Sequence, residues 1–249
     1  MKTISLAIPF YNTSKYFLDC TQYAIDDDFV SEILISDDCS DDIQYHSLKQ
    51  SIEKSKNNNK IKLIKTDLNI GGFNNKYYIV NNSTNEWVYL LDSDNCMTNK
   101  TLKLIQSIEN LNSNICYCPE KLILHYDGQL PHQEVIYNFG FDYIGLNEIK
   151  ILLKNNTEWV DWFLNTGNYF FNKNSYLKYL KEHFEGDIKN TFAGDAIATS
   201  YYWFKNGGKF KILKGFEYYH RLRPESYWNT CGINSMESVN YYKSKILDL

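Results

Sequence analysis

Two carboxylates close an apolar run in Tyr89-Leu90-Leu91-Asp92-Ser93-Asp94-Asn95, and no basic residue stands beside them in the sequence. Alternate residues of an extended segment share a side, so Asp92 and Asp94 are expected to face one ion together. Carboxylates packed at a strand end raise each other's pKa and cost stability unless a cation joins them. A few hard oxygen ligands suit Mg2+ or Mn2+ that keeps positions open for water and phosphate, which points to a metal-diphosphate site rather than a closed cage. Two more polar clusters accompany this one: Pro9-Phe10-Tyr11-Asn12 and Asp37-Asp38-Cys39-Ser40-Asp41-Asp42. Asp41 or Asp42 alone would read as a helix N-cap.

These clusters need elements that bring them to one edge. Short β-branched runs at 3–8, 31–36, 61–65 and 87–91 alternate with helix-length segments near 14–25, 42–55 and 73–83, the pattern of βα units around a mostly parallel sheet. In such sheets ligands bind beyond the carboxyl ends of the strands, where all three clusters fall. A further helix is expected at 98–110 with Thr98 as N-cap. The second half reads differently: one or two strands at 115–126, about forty irregular, aromatic-rich residues, a strand at 167–171, helices at 173–182 and 194–206, and two strands at 209–213 and 216–222. The Gly207-Gly208 pair reads as a helix stop.

With 249 residues and 43% hydrophobic content, one domain over 1–249 is expected. It would comprise a binding half at 1–110 and a second half at 111–249 ending in a lid or tail. The balance of 26 basic and 30 acidic residues, a net of -4, gives no general footprint for nucleic acid. No segment is long and apolar enough to span a bilayer, and the N-terminus lacks a leader's apolar core. The six cysteines form no C-x-x-C pair, which fits reduced thiols and a cytoplasmic location.

"ISLAIPFYN", "ILISDDCSDD", "LNIGGFNNKYY" and "YLLDSDN" occur in the order and at roughly the spacing found in family 2 glycosyltransferases with a GT-A fold, which this chain resembles over about residues 3–110. The resemblance continues more weakly through "AGDAIATSYYWFKNGG" and "YYHRLRPESYW". It implies an α/β fold with a Rossmann-like, mostly parallel sheet, and a metal-dependent inverting transfer of sugar from a nucleotide-sugar, UDP-linked by expectation, to a glycan or lipid-linked sugar. Pro9, Tyr11 and Asp38 would cradle the base. Lys76 stands where relatives carry Arg-Asn and would offer charge to the diphosphate, without arginine's bidentate fork. Asp92 would contact ribose and Asp94 the Mn2+ or Mg2+.

Asp195 takes the place of the family's general base, with Gly194 where an acid is more common. His220 would complete the metal shell, and Arg223 and Ser226 would grip phosphate from a C-terminal lid. Trp162, Asn165 and Asn168 would meet the acceptor sugar. A homodimer and peripheral membrane association are left open. The rival readings are a sugar-nucleotide nucleotidyltransferase, disfavoured because "PFYNTSKY" lacks a Gly-rich loop, and a non-catalytic binding module of the same fold.

Overall fold

The computed structural model describes residues 3–126, 133–185 and 191–249. The first half alternates strand and helix as expected: β1 (Ile4–Phe10), α1 (Phe17–Ile25), β2 (Val30–Asp37), α2 (Asp42–Lys54), β3 (Ile61–Lys65), α3 (Gly72–Asn82) and β4 (Trp87–Leu90). These strands are near-continuous apolar runs because both faces are covered, one cluster centred on Leu6, Ile33 and Phe170 and the other on Phe163, Trp203 and Phe210. β1 lies parallel between β2 and β4, and β3 flanks β2. Pairing of β1 with β4 ends at Ala7, two residues before Pro9, so the proline's missing N–H removes no bond from that ladder.

The rest of the chain continues the same sheet through β5 (Cys96–Met97), α4 (Asn99–Gln106), β6 (Ile115–Tyr126), β7 (Gln133–Ile136), α5 (Leu146–Lys154), α6 (Val160–Asn165), β8 (Phe170–Asn172), α7 (Lys173–Glu185), α8 (Asp195–Lys205), β9 (Lys209–Leu222) and α9 (Tyr227–Asp248). The strand order is β3-β2-β1-β4-β8-β6-β9-β5, with β7 on β6. β8 is antiparallel to both β4 and β6, and β9 is parallel to β6, so β9 runs in the direction of β4. That polarity puts the carboxyl end of β9 on the edge where β1, β2 and β4 also end.

Two expectations need correction. The stretch taken as irregular contains β7, α5 and α6, and Leu146, Ile149, Leu152 and Leu153 carry the helical period that could have revealed α5. The two strands expected at 209–213 and 216–222 are one. Gly215, at φ +89, forms a bulge there, and its N–H donates to Glu120 Oε2 at 2.7 Å. The C-terminal segment, whose packing the sequence left open, is a helix that packs on α8 and α5 and is kinked at Gly232. Thr98 does cap α4, accepting from Thr101 N at 3.1 Å.

Candidate active site

The Asp92–Asn95 segment leaves the sheet as a turn, with Asn95 N–H donating to Asp92 O at 3.0 Å. Strand alternation therefore does not govern it, and its two acids part company. Asp92 Oδ1 meets Lys76 Nζ at 2.8 Å, whereas Asp94 Oδ2 meets Arg223 Nε at 2.7 Å. The expectation of two uncompensated carboxylates is corrected: Lys76 of α3 pairs with Asp92, and Arg223, beyond β9, pairs with Asp94. Ser93 ties the turn to the loop after β1 through a 2.7 Å hydroxyl contact with Thr13.

Lys76, one turn into α3, also reaches Asp195 Oδ2 at 2.6 Å. Its side chain is 13% exposed and that of Asp195 14%, so this bridge is largely shielded from water. Burial by itself would lower the lysine pKa, but Asp195 and then Asp92 outweigh it, and the ammonium is held charged well above its ordinary range. Counting Arg223, two cations face the three carboxylates Asp92, Asp94 and Asp195, leaving one formal negative charge. Gly167, at φ +68, lets its loop pass this cluster: a Cβ there would lie 3.1 Å from Ala196 Cβ and 3.6 Å from Lys76 Nζ.

Asp195 opens α8 as its first helical residue, and Gly194 is the N-cap. Glycine has no capping oxygen, so Asn165 of α6 supplies one from outside the helix. Its Oδ1 accepts from Ile197 N at 3.3 Å, and its Nδ2 donates to Ala193 O at 3.1 Å. An acid at 194 would not fit, because a Cβ there would stand 2.6 Å from Ser238 Oγ and 3.0 Å from the Thr191 carbonyl oxygen. Asn168 is fully buried and holds Asp92, accepting from its N–H at 2.8 Å and donating to Oδ2 at 3.4 Å. Both asparagines expected at an acceptor thus face inward and build the site, while Trp162 stays part-exposed, edge-on to His220 at 6.1 Å.

At the carboxyl end of β1, Tyr11 is exposed and Pro9 is half-buried. Asp38 is buried and organises the loop between β3 and α3, accepting from Ile70 N at 2.7 Å and Gly71 N at 2.9 Å. Burial raises its carboxyl pKa, partly opposed by those N–H donors and Thr66. Asp41 caps α2, accepting from Gln44 N at 2.9 Å. A cavity of about 300 Å³ at the start of α3 is lined by Asn69, Gly71, Gly72, His183 and Tyr227 among others. No role for Tyr227 follows from the sequence; although 44% exposed, its phenol is pushed up to about 12 by partial desolvation, with Cys231, Asp195 and Asp38 adding to the effect. Ser226 caps α9 by accepting from Asn229 N at 3.3 Å, which is a structural use of a residue expected to grip phosphate.

Among the described residues, no group of three or more His, Cys, Asp or Glu side chains is placed to hold a metal ion. The expected pair is Asp94 and His220; burial lowers the imidazole pKa, Asp94 and then Asp92 oppose that shift, and His125 adds to it. A pair of this kind fits a cation that takes most of its shell from water and ligand phosphate.

No curated protein matches the chain by sequence. Among solved structures, S. aureus TarS 1-349 in complex with UDP-GlcNAc superposes with a TM-score of 0.62 at 18% identity, over 99% of this chain and 67% of that one. The chain spans 42% of a longer TarS structure, which it matches with a TM-score of 0.59 at 19% identity over 98% of its own length. GalNAc-T7 with UDP, GalNAc and Mn2+ gives a TM-score of 0.62 at 15% identity, over 90% of this chain and 44% of that one. Residues 5–181 match the family model described as Glycosyl transferase family 2. With that match over most of its length and the sheet described above, the chain belongs to glycosyl transferase family 2 and is a glycosyltransferase of the GT-A fold.

Proposed function

We propose that this chain moves a hexose or N-acetylhexosamine from a UDP-linked donor to a hydroxyl of a glycan or other sugar acceptor, inverting the anomeric configuration. The observation that carries the reading is the Lys76 ammonium between Asp92 and Asp195, because it sets a donor-side carboxylate and a candidate base on opposite sides of one charge. TarS structures with UDP-GlcNAc and with UDP, and GalNAc-T7 with UDP, support the choice of nucleotide.

In this reading Pro9 and Tyr11 flank the base, and Asp38 uses remaining lone pairs for a ring N–H while its loop stays bonded. Asp92 faces the ribose. Asp94 and His220 would hold Mn2+ or Mg2+, which when bound offsets charge on the departing diphosphate. Arg223 trades its Asp94 contact for phosphate, and Lys76 adds positive charge on the same side. Asp195 accepts the proton of the acceptor hydroxyl as that oxygen attacks the anomeric carbon opposite the leaving group. Trp162 offers a ring face to the acceptor sugar. Proton NMR of the product formed from UDP-GlcNAc and a panel of sugar acceptors tests this. Inverted configuration is expected; retention, or wild-type turnover by Asp195→Asn, would overturn it.

A further inference from the structure

Arg221 is a buried arginine one residue beyond His220, with its side chain only 6% exposed, and no role above uses it. Burying a guanidinium is costly unless its donors are met, and here they are met by the parts of the site rather than by the core. Its Nε donates to the Asp94 carbonyl oxygen at 3.0 Å, and its backbone N–H donates to Asn95 Oδ1 at 3.0 Å. Its Nη2 donates to Asp19 Oδ2 on α1 at 2.9 Å, and the guanidinium lies over the Tyr16 ring at 4.1 Å. One side chain therefore joins α1, the Asp92–Asn95 turn and the end of β9. β5 pairs with the same strand just before it, Cys96 opposite Tyr219.

We propose that Arg221 is a positioning residue: it clamps the main chain of the Asp92–Asn95 turn to β9 so that Asp94 and His220 are presented together to the donor, with Tyr16, Asp19 and Asn95 as its seat. The two arginines then divide the work on Asp94. Arg221 holds the carbonyl oxygen, which no ligand needs, and Arg223 holds the carboxylate, which a ligand must take over. Lysine cannot replace Arg221, since a single ammonium lacks the fork that spans Asp94 O and Asp19 Oδ2 and the plane that stacks on Tyr16. The part of this inference that concerns the donor rests on the UDP reading above; the clamp itself does not.

Two measurements on the full chain separate these parts. The first is hydrogen exchange of the ligand-free protein, comparing wild type with Arg221→Lys and with the milder Asp19→Asn. Arg221→Lys is expected to speed exchange at the Asn95 amide by about tenfold or more and Asp19→Asn by a few-fold, while β1 to β3 keep their protection. Unchanged exchange at Asn95, or equal loss of protection throughout the sheet, would overturn the clamp. The second is calorimetric titration with UDP and MnCl2. If wild type binds, Arg221→Lys should bind about tenfold or more weakly with unchanged stoichiometry, an effect that loss of folded protein would not produce. Wild-type affinity in that variant would overturn the presentation of Asp94 to the donor. Failure of wild type to bind UDP would instead overturn the nucleotide reading, with the exchange result still deciding the clamp.

Discussion

Lys76 carries one positive charge and faces two carboxylates at hydrogen-bond distance, 2.6 Å from Asp195 and 2.8 Å from Asp92. Replacing it by methionine leaves both acids largely shielded and without that cation. Lys76→Met should therefore lose about 1–3 kcal/mol of unfolding free energy, measurable by urea denaturation, and Lys76→Arg clearly less. Asp195→Asn is a different experiment on the same bridge. Lys76 keeps Asp92, so UDP binding should stay near wild type while turnover falls by about 10²–10⁴, as steady-state kinetics with a separate binding titration would show. These residues could be chosen from the sequence, but their partnership could not. Lys76, Asp92 and Asp195 are set side by side only by the packing of α3 and α8 against the sheet, and nothing in their spacing announces an ion pair. For the same reason the Arg223 partner of Asp94 was invisible.

At the level of elements, α8 depends on a cap borrowed from α6. Asn165→Ala removes the acceptor for Ile197 N–H and the donor to Ala193 O, and should cost about 0.5–2 kcal/mol. Because α8 starts at Asp195, the same change should lower turnover, so thermal melting and kinetics should move together. A second element-level device is Glu32 of β2, which accepts from Ser5 on β1, from Thr84 N at 2.7 Å and from Lys62 on β3 at 3.0 Å. Burial would raise its pKa, but these donors win and the folded value lies below the ordinary 4.5. Its stabilising share is therefore complete above that ordinary value and fades as pH falls through the lower folded one. Melting temperatures across acid pH should show wild type losing its advantage over Glu32→Gln in that window. The strands and helices of the first half were legible because β-branched runs and polar helical segments alternate cleanly. In the second half, aromatic residues serve both faces of a shared core and blur the periods, and the Lys214-Gly215 pair marks a bulge inside one strand where two strands are expected.

Across the whole molecule, the site exists because β9 returns parallel to β4, carrying His220, Arg221 and Arg223 to the edge where the first half ends its strands. α9 then packs on α8, and Ser238 of α9 leaves no room for a side chain at Gly194. Gly194→Ala must push Ser238 or the Thr191 carbonyl aside, so it should cost about 1–3 kcal/mol in stability and reduce turnover through Asp195, readable by denaturation and kinetics together. Sugar transfer from a nucleoside diphosphate donor, with Asp195 as base, is what these parts are proposed to achieve. The most direct measurement is nucleoside diphosphate release from a panel of UDP-, GDP- and dTDP-sugars with Mn2+, with and without chelator, for wild type and Asp195→Asn in the presence of sugar acceptors. Release of UDP by wild type, suppressed by chelator and lost in Asp195→Asn, is the predicted result. Release of pyrophosphate instead, or no release from any donor, would contradict it.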